Sequence, residues 1–197
     1  MRISLRTLAV TLYLVFCSCF SSSGQGQASI PSLFQRLQSD ATADDAAKEF
    51  REMVDNKEAK TYLSQRLPGL ILSDPKEHPH VWLNAVQLAG AYRVTEAMPA
   101  LRKWIGLMVG APEGTTLGQT ERLESAPAGK ALVKIGEPAV PTLVDALDNG
   151  DPHQRWVASR ALYLIGSQSA VAGLRDHLAR ESDPEMRAYI EKVTQKK

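Results

Sequence analysis

Three segments of the chain carry the same helical pattern, with apolar residues at i, i+3, i+4 and i+7 and a glycine at i+8. They are residues 82–90, 128–136 and 158–166. Residues at this spacing share one face of an α-helix, and glycine commonly follows a helix end. Because one such helix cannot cover its own apolar face, its recurrence predicts a stack of helical repeats.

Two further motifs recur beside these helices. Asp-Pro stands at residues 74–75, 151–152 and 183–184. Aspartate can accept hydrogen bonds from the free N–H groups of a helix start, and proline fits the first turn. An alanine-led motif ending in leucine follows each first helix, at residues 97–101, 139–143 and 170–174. The unit is therefore a helix pair, and no strand-like alternation persists, so the pattern predicts an all-α solenoid of stacked antiparallel helix pairs.

The spacing between copies locates an insertion. The pattern repeats 30 residues after Ala128 but 46 residues after Trp82. The extra residues fall at about 107–122, a glycine-rich segment that is typical of a loop. The repeats are thus predicted to span residues 74–197.

Residues 29–73 also show helical spacing without the repeated motifs. Helices are predicted to start near Ile30, after Thr42 and after Asn56. Pro68 lies inside the third and is expected to kink or split it, because proline removes a backbone donor and collides with the preceding turn. These helices form either a cap or a degenerate repeat.

The first 28 residues have the pattern of a secretory signal peptide. Arg2 and Arg6 precede an apolar run of about 14 residues, shorter than the roughly 20 that span a bilayer. Small residues follow, and cleavage is expected after Ala28 or near Gly24. We therefore predict a periplasmic or secreted protein, the alternative being an uncleaved N-terminal anchor.

Both cysteines, Cys17 and Cys19, lie in this leader. Neither fits the lipidation motif well, so lipoprotein anchoring through either is the less favoured alternative. A mature chain starting after Ala28 contains no cysteine, and hence no disulfide and no thiol nucleophile.

Charge and hydropathy narrow the partner classes. The chain has 23 basic and 22 acidic residues, and removal of Arg2 and Arg6 would reverse that small excess. A near-neutral chain lacks the basic footprint of nucleic-acid binding. No apolar run after the leader is long enough to span a membrane.

The repeat unit at residues 151–183 resembles the HEAT repeat, with Asp-Pro-x-x-Arg, Ala-x-x-Ala-Leu-x-x-Ile-Gly and an alanine-led second helix. It is most similar to the bacterial HEAT-like class named for phycobilin lyase subunits. Residues 126–149 form a close copy, and residues 78–105 a looser one with His78 in place of arginine. The resemblance implies a helical scaffold or binding platform and names no substrate.

No catalytic pattern is found, and no cofactor is predicted. A nucleophile elbow, a His-Glu-x-x-His helix and a phosphate-binding glycine loop are all missing from the sequence. His78 and His80 would make half a metal site at best, and solvated helix-start histidines are the favoured interpretation. Asp151 with Arg155 recurs as Asp183 with Arg187, so these pairs are interpreted as structural: the arginine reaches either its own aspartate or the neighbouring repeat.

The outward side of the second helices is the expected interaction surface, since this is where repeat proteins commonly bind partners. Trp104 and Trp156 are included in this surface because an exposed tryptophan often anchors a partner protein. The favoured alternative is that both tryptophans pack against the insert or a neighbouring repeat. The candidate interaction residues are Arg102, Lys103, Trp104, Asp145, Asp148, Trp156, Arg175 and Asp176.

We therefore expect an exported, non-enzymatic scaffold or adaptor that binds an unidentified partner protein. The alternative from the resemblance is an accessory lyase or chaperone-like protein that binds a small ligand. The export signal disfavours pigment attachment, a cytosolic activity in that family. A third alternative is a module that positions an enzyme of the cell envelope.

Overall fold

The computed structural model describes residues 28–110 and 119–195. Every regular element in these two ranges is a helix, which confirms the all-α prediction. The predicted signal peptide lies outside the described residues except for Ala28, and so does the middle of the predicted loop.

Eleven α-helices occur in the described residues, with a single 3₁₀ turn before α5 and another before α8. In chain order they are α1 Ile30–Leu37, α2 Ala43–Glu52, α3 Lys57–Leu72, α4 Pro79–Ala91, α5 Met98–Lys103, α6 Gln119–Glu124, α7 Pro127–Ile135, α8 Val140–Asn149, α9 Pro152–Ile165, α10 Gln168–Leu178 and α11 Pro184–Thr194.

The helices form two layers of a continuous stack. The first helices of successive pairs, α2, α4, α7, α9 and α11, pack side by side. The second helices, α3, α5, α8 and α10, do the same. The α2–α3 pair therefore continues the stack, although its sequence lacks the repeated motifs. Helix α1 packs on α2, and α6 lies across α7 and α9.

The repeated apolar face forms the core, in the predicted register. Ala85, Ala131 and Ala161 stand at equivalent positions and are buried, as is Leu162. Small side chains there let neighbouring helices approach closely. Ile165, at the end of the third copy, is only half-buried.

Two of the three predicted aspartate caps are confirmed. Asp151 accepts a hydrogen bond from the backbone N–H of Gln154, and Asp183 caps α11 in the same way. Asp74 instead lies in a turn and accepts from Lys76, so it does not start a helix. Helix α4 begins later, at Pro79, and the N–H of Val81 donates 3.0 Å to Asp40 from the α1–α2 connection.

The repeated glycines have different roles. Gly136 and Gly166 follow α7 and α9 with φ of 84° and 63°, as predicted. Gly90 lies inside α4, where an added Cβ would be 2.9 Å from the Cα of Ala131. It therefore serves close helix packing, and the positive φ after α4 belongs to Arg93, at 51°.

Two boundaries differ from the sequence prediction. Pro68 does not split its helix, because α3 runs from Lys57 to Leu72 with Pro68 inside it. The predicted loop at 107–122 ends earlier than expected, because α6 begins at Gln119.

We expect Leu162→Asp to lower the free energy of unfolding by at least about 3 kcal/mol, because it places an unpaired charge in the core. Leu164→Asp is the matched control: it is two residues away on the same helix and 45% exposed. Its effect should stay below about 1 kcal/mol. Urea unfolding followed by circular dichroism measures both, and equal losses would contradict the assigned register.

Gly90→Ala should destabilise the chain by about 1–3 kcal/mol, because the new methyl group meets the backbone of α7. Gly69→Ala should instead stabilise it by about 0.5–1 kcal/mol, because nothing lies within 4 Å and alanine favours the helix. Thermal melts compare the melting temperatures of the two variants, one changed at a packed glycine and the other at an open one. A Gly90→Ala protein as stable as wild type would show that the helices can separate without loss.

Candidate functional site

The predicted interaction residues differ widely in exposure. Lys103, Asp145, Arg175 and Asp176 are exposed, Arg102, Trp104 and Asp148 are half-buried, and Trp156 is buried. Trp156 lies on a first helix, α9, so including it in the surface was wrong. The remaining residues lie on or beside the second helices, as expected.

Most of the charged members of this row bind the neighbouring repeat. Arg102 of α5 donates from Nε to Asp145 of α8 at 2.8 Å, and from Nη1 to Gln154 of α9 at 3.0 Å. Hydrogen bonds from Asn149 and then Arg102 hold the pKa of Asp145 below its usual range. Arg175 of α10 donates to the carbonyl of Thr194 in α11. The row is therefore largely a series of contacts between successive units.

A buried histidine connects α8, α10 and the start of the last repeat. His177 is 4% exposed, and its Nδ1 lies 2.7 Å from Asp148. Its Nε2 lies 2.8 Å from Glu181. Asp148 also accepts from Arg180 at 3.1 Å. Asp148 thus joins α8 to the end of α10 through His177 and Arg180.

Glu181 is the most enclosed carboxylate of this cluster. Arg155 lies 3.4 Å away, and the backbone N–H of Asp183 donates to it at 2.8 Å. Burial alone would raise the pKa of Glu181, but the hydrogen bonds from Asp183 and His177 and the charge of Arg155 outweigh it, so the pKa lies below 4.5. The arginines of both Asp-Pro-x-x-Arg copies therefore make structural contacts: Arg155 reaches Glu181 ahead of it, and Arg187 donates to the carbonyls of Leu178 and Glu181 behind it.

Both tryptophans pack on aromatic neighbours. The ring of Trp156 lies 5.6 Å from that of Tyr189, centroid to centroid. Trp104 contacts Trp82 edge to face at 6.3 Å, and Lys103 lies over its ring. These contacts favour a packing role for each tryptophan, the alternative that the sequence analysis preferred.

The two adjacent histidines bind carboxylates near the N-terminus of the stack. His78 lies 3.5 Å from Asp40, and His80 lies 3.1 Å from Asp44. A hydrogen bond from Asn84 and the nearby His80 lower the pKa of Asp44. Within the described residues, no cluster of three or more histidine, cysteine, aspartate or glutamate side chains could hold a metal ion.

The sequence pattern did not point to the side of the stack where first helices turn into second ones. A cavity of about 630 Å³ opens there, and an adjoining one measures about 570 Å³. Both are lined by Lys60 and Arg93, and the larger one also by Lys134. These residues come from three successive units, so no local motif groups them. The one local signal of this side lies at the helix ends. The residue with positive φ after α4 is Arg93, whereas after α7 and α9 it is a glycine.

Residues 123–193 match the family model for HEAT repeats, a segment that runs from the end of α6 into α11. This part of the chain therefore consists of HEAT repeats, which confirms the resemblance. The match does not address the phycobilin lyase type, which stays a prediction. No curated protein and no solved structure matches the sequence. In the described parts of the chain, no helix is long and apolar enough to cross a membrane.

Glu181→Gln should lower stability by about 1–3 kcal/mol at pH 7, because a buried acceptor of charge-assisted hydrogen bonds is lost. Since the folded-state pKa of Glu181 lies below 4.5, its ionised form stabilises the fold above pH 4.5. That contribution declines as the pH falls from 4.5 through the folded-state value. The difference between variant and wild type should therefore be smaller at pH 3.5 than at pH 7.

Thermal melts at the two pH values measure this difference. Glu185→Gln, at an exposed position on α11, is the control and should change little at either pH. A Glu181→Gln difference that is the same at both pH values would contradict the role given to the buried carboxylate.

Proposed function

We propose that the chain is an exported, non-enzymatic scaffold or adaptor that binds a partner protein through its HEAT stack. The observation that carries the proposal is the HEAT match over residues 123–193, because HEAT repeats generally act as protein-interaction scaffolds. The stacking of α2 with α4 and of α3 with α5 extends the same surface over the N-terminal part of the structure. Such stacks present a long face that a partner can follow.

Export is supported by the sequence of the first 28 residues, with its charged start, short apolar run and small residues before Ser29. Periplasmic release or secretion fits this order best. An acylated Cys17 or Cys19 would give an envelope-anchored form of the same scaffold.

A non-enzymatic role is supported by the buried polar cluster around His177, whose groups bind one another across the stack. His177 lies between Asp148 and Glu181, and both carboxylates also contact arginines. Each group thereby joins one helix pair to the next. Groups committed to such contacts are poorly placed for proton transfer to a substrate.

The tagged full chain should capture a reproducible protein partner from envelope and culture fractions, as identified by mass spectrometry. A Lys103→Glu/Asp176→Lys variant, which reverses two exposed charges of the second-helix row, should retain less of that partner if the row is the contact. Circular dichroism controls for folding. No captured protein in either fraction contradicts the scaffold proposal, and a chromophore or cofactor purified with the chain would favour the lyase-like alternative.

A further inference from the structure

The two cavities at the turns between first and second helices form one groove. The larger is lined by residues from the start of α3, the turn after α4, the turn after α7 and the end of α9. The smaller shares Lys60, Arg93 and Thr95 with it. We call this continuous depression the turn groove. It crosses four successive units of the stack, so one extended ligand could contact all of them.

The turn groove holds three unpaired cations. Lys60, Arg93 and Lys134 all line the larger cavity and are exposed. Among the described residues, none of the three side chains has a hydrogen bond or an ion pair. This differs from the second-helix row, where Arg102 is committed to a neighbouring repeat. The positive charge of the groove is therefore free to bind a ligand.

Two carboxylates, Glu96 and Glu137, also lie in the groove, but neither forms an ion pair with these three cations. Glu137 accepts a hydrogen bond from the hydroxyl of Ser169, and hydrogen bonds from Ser167 and Ser169 lower its pKa. Glu96 lies in the smaller cavity and accepts from Thr95. In the larger cavity, cations outnumber carboxylates, so an anionic ligand is favoured.

The backbone at Arg93 gives a second and independent observation. Helix α4 ends with paired hydrogen bonds from Arg93 N to Gly90 O and from Val94 N to Ala89 O, at 3.2 and 2.9 Å. This helix ending requires a left-handed residue, and Arg93 has φ of 51°. Glycine adopts that conformation without the steric conflict of a Cβ. Arg93 thus occupies a backbone position that glycine would adopt with less steric strain.

The turn itself does not depend on the arginine side chain. The hydroxyl of Tyr92 donates to the carbonyl of Phe50 at 2.6 Å and also contacts that of Met53 at 3.1 Å. Val94 is fully buried on the other side. Its neighbours therefore hold Arg93 in the disfavoured conformation, at a position that lines both cavities. Backbone strain of this kind, imposed by the surroundings, is common at ligand sites.

An apolar patch lies at the far end of the same cavity. Leu164 is 45% exposed, and Val133 and Ile165 are half-buried beside it. Cations next to an exposed leucine match a ligand that carries both carboxylates and an apolar side chain. An acidic peptide segment has both, whereas a simple inorganic anion has only the charge.

We propose that the turn groove binds an extended acidic segment of a partner protein, with its carboxylates at Lys60, Arg93 and Lys134 and an apolar side chain at Leu164. Units of a helical stack are about 8–10 Å apart, and an extended chain rises about 3.3 Å per residue. About three ligand residues therefore correspond to each unit. This inference rests on the proposed scaffold function and specifies one of its binding surfaces.

Selection from a library of random dodecapeptides displayed on phage tests the inference with the full chain as bait. We expect the selected peptides to be enriched in aspartate and glutamate around an apolar residue. Their fluorescein-labelled versions should bind Arg93→Gly about two- to fivefold more weakly, as for loss of one exposed ion pair. The melting temperature of Arg93→Gly should be unchanged or slightly higher, which separates binding from folding.

Lys48→Ala is the matched control, since this exposed lysine on α2 lines neither cavity, and it should bind the peptides as wild type does. Selection of neutral or basic peptides, no enrichment, or equal binding by Arg93→Gly would overturn the inference. So would binding to phosphatidylglycerol vesicles that Arg93→Gly abolishes, without enrichment of acidic peptides, because the groove would then serve a membrane surface.

The outcome is distinguishable from failure of the scaffold proposal. A chain that captures a partner protein equally well with Arg93→Gly keeps the proposed function and loses the groove as its site. A chain that captures no protein loses the proposed function itself.

Discussion

Every helix of this chain depends on its neighbours in the stack, because one helix pair exposes an apolar face that only the next pair can cover. The contact between α4 and α7 shows how tightly this constraint acts. Gly90 leaves no room for a Cβ against the backbone of Ala131, and Ala85 and Ala131 are buried in the same layer. Small residues at these positions let the two helices approach closely.

The same stacking places polar groups of distant sequence in contact. Arg102 contacts Asp145, and His177 contacts both Asp148 and Glu181. A helical projection places several of these side chains on the outward face, but in the structure they bind groups of a neighbouring helix or turn. At the turn edge, by contrast, Lys60, Arg93 and Lys134 line one cavity, and no ion pair forms at any of them within the described residues. HEAT repeats occupy residues 123–193, and the helix pairs before them continue the two layers. A protein-binding role agrees with both facts.

Much of the fold could be predicted because its signals are local. Apolar spacing predicted the helices and their buried faces, and the caps at Asp151 and Asp183 came from residues within one turn. The cap predicted at Asp74 was wrong for two reasons. Pro79 offers a second helix start, and Asp40, which is distant in sequence, accepts the hydrogen bond from the N–H of Val81. The site was predicted less well, since exposure depends on what packs above a residue.

The sequence alone determined the helical repeat, its register and the helix ends at Gly136 and Gly166, because side-chain spacing and backbone preference act over a few residues. Only the tertiary structure decided that Trp156 is buried against Tyr189 and that Lys60, Arg93 and Lys134 share one cavity. These outcomes join residues from different units, some 30 or more positions apart. They follow from how the units are spaced and rotated in the stack, which no short segment encodes.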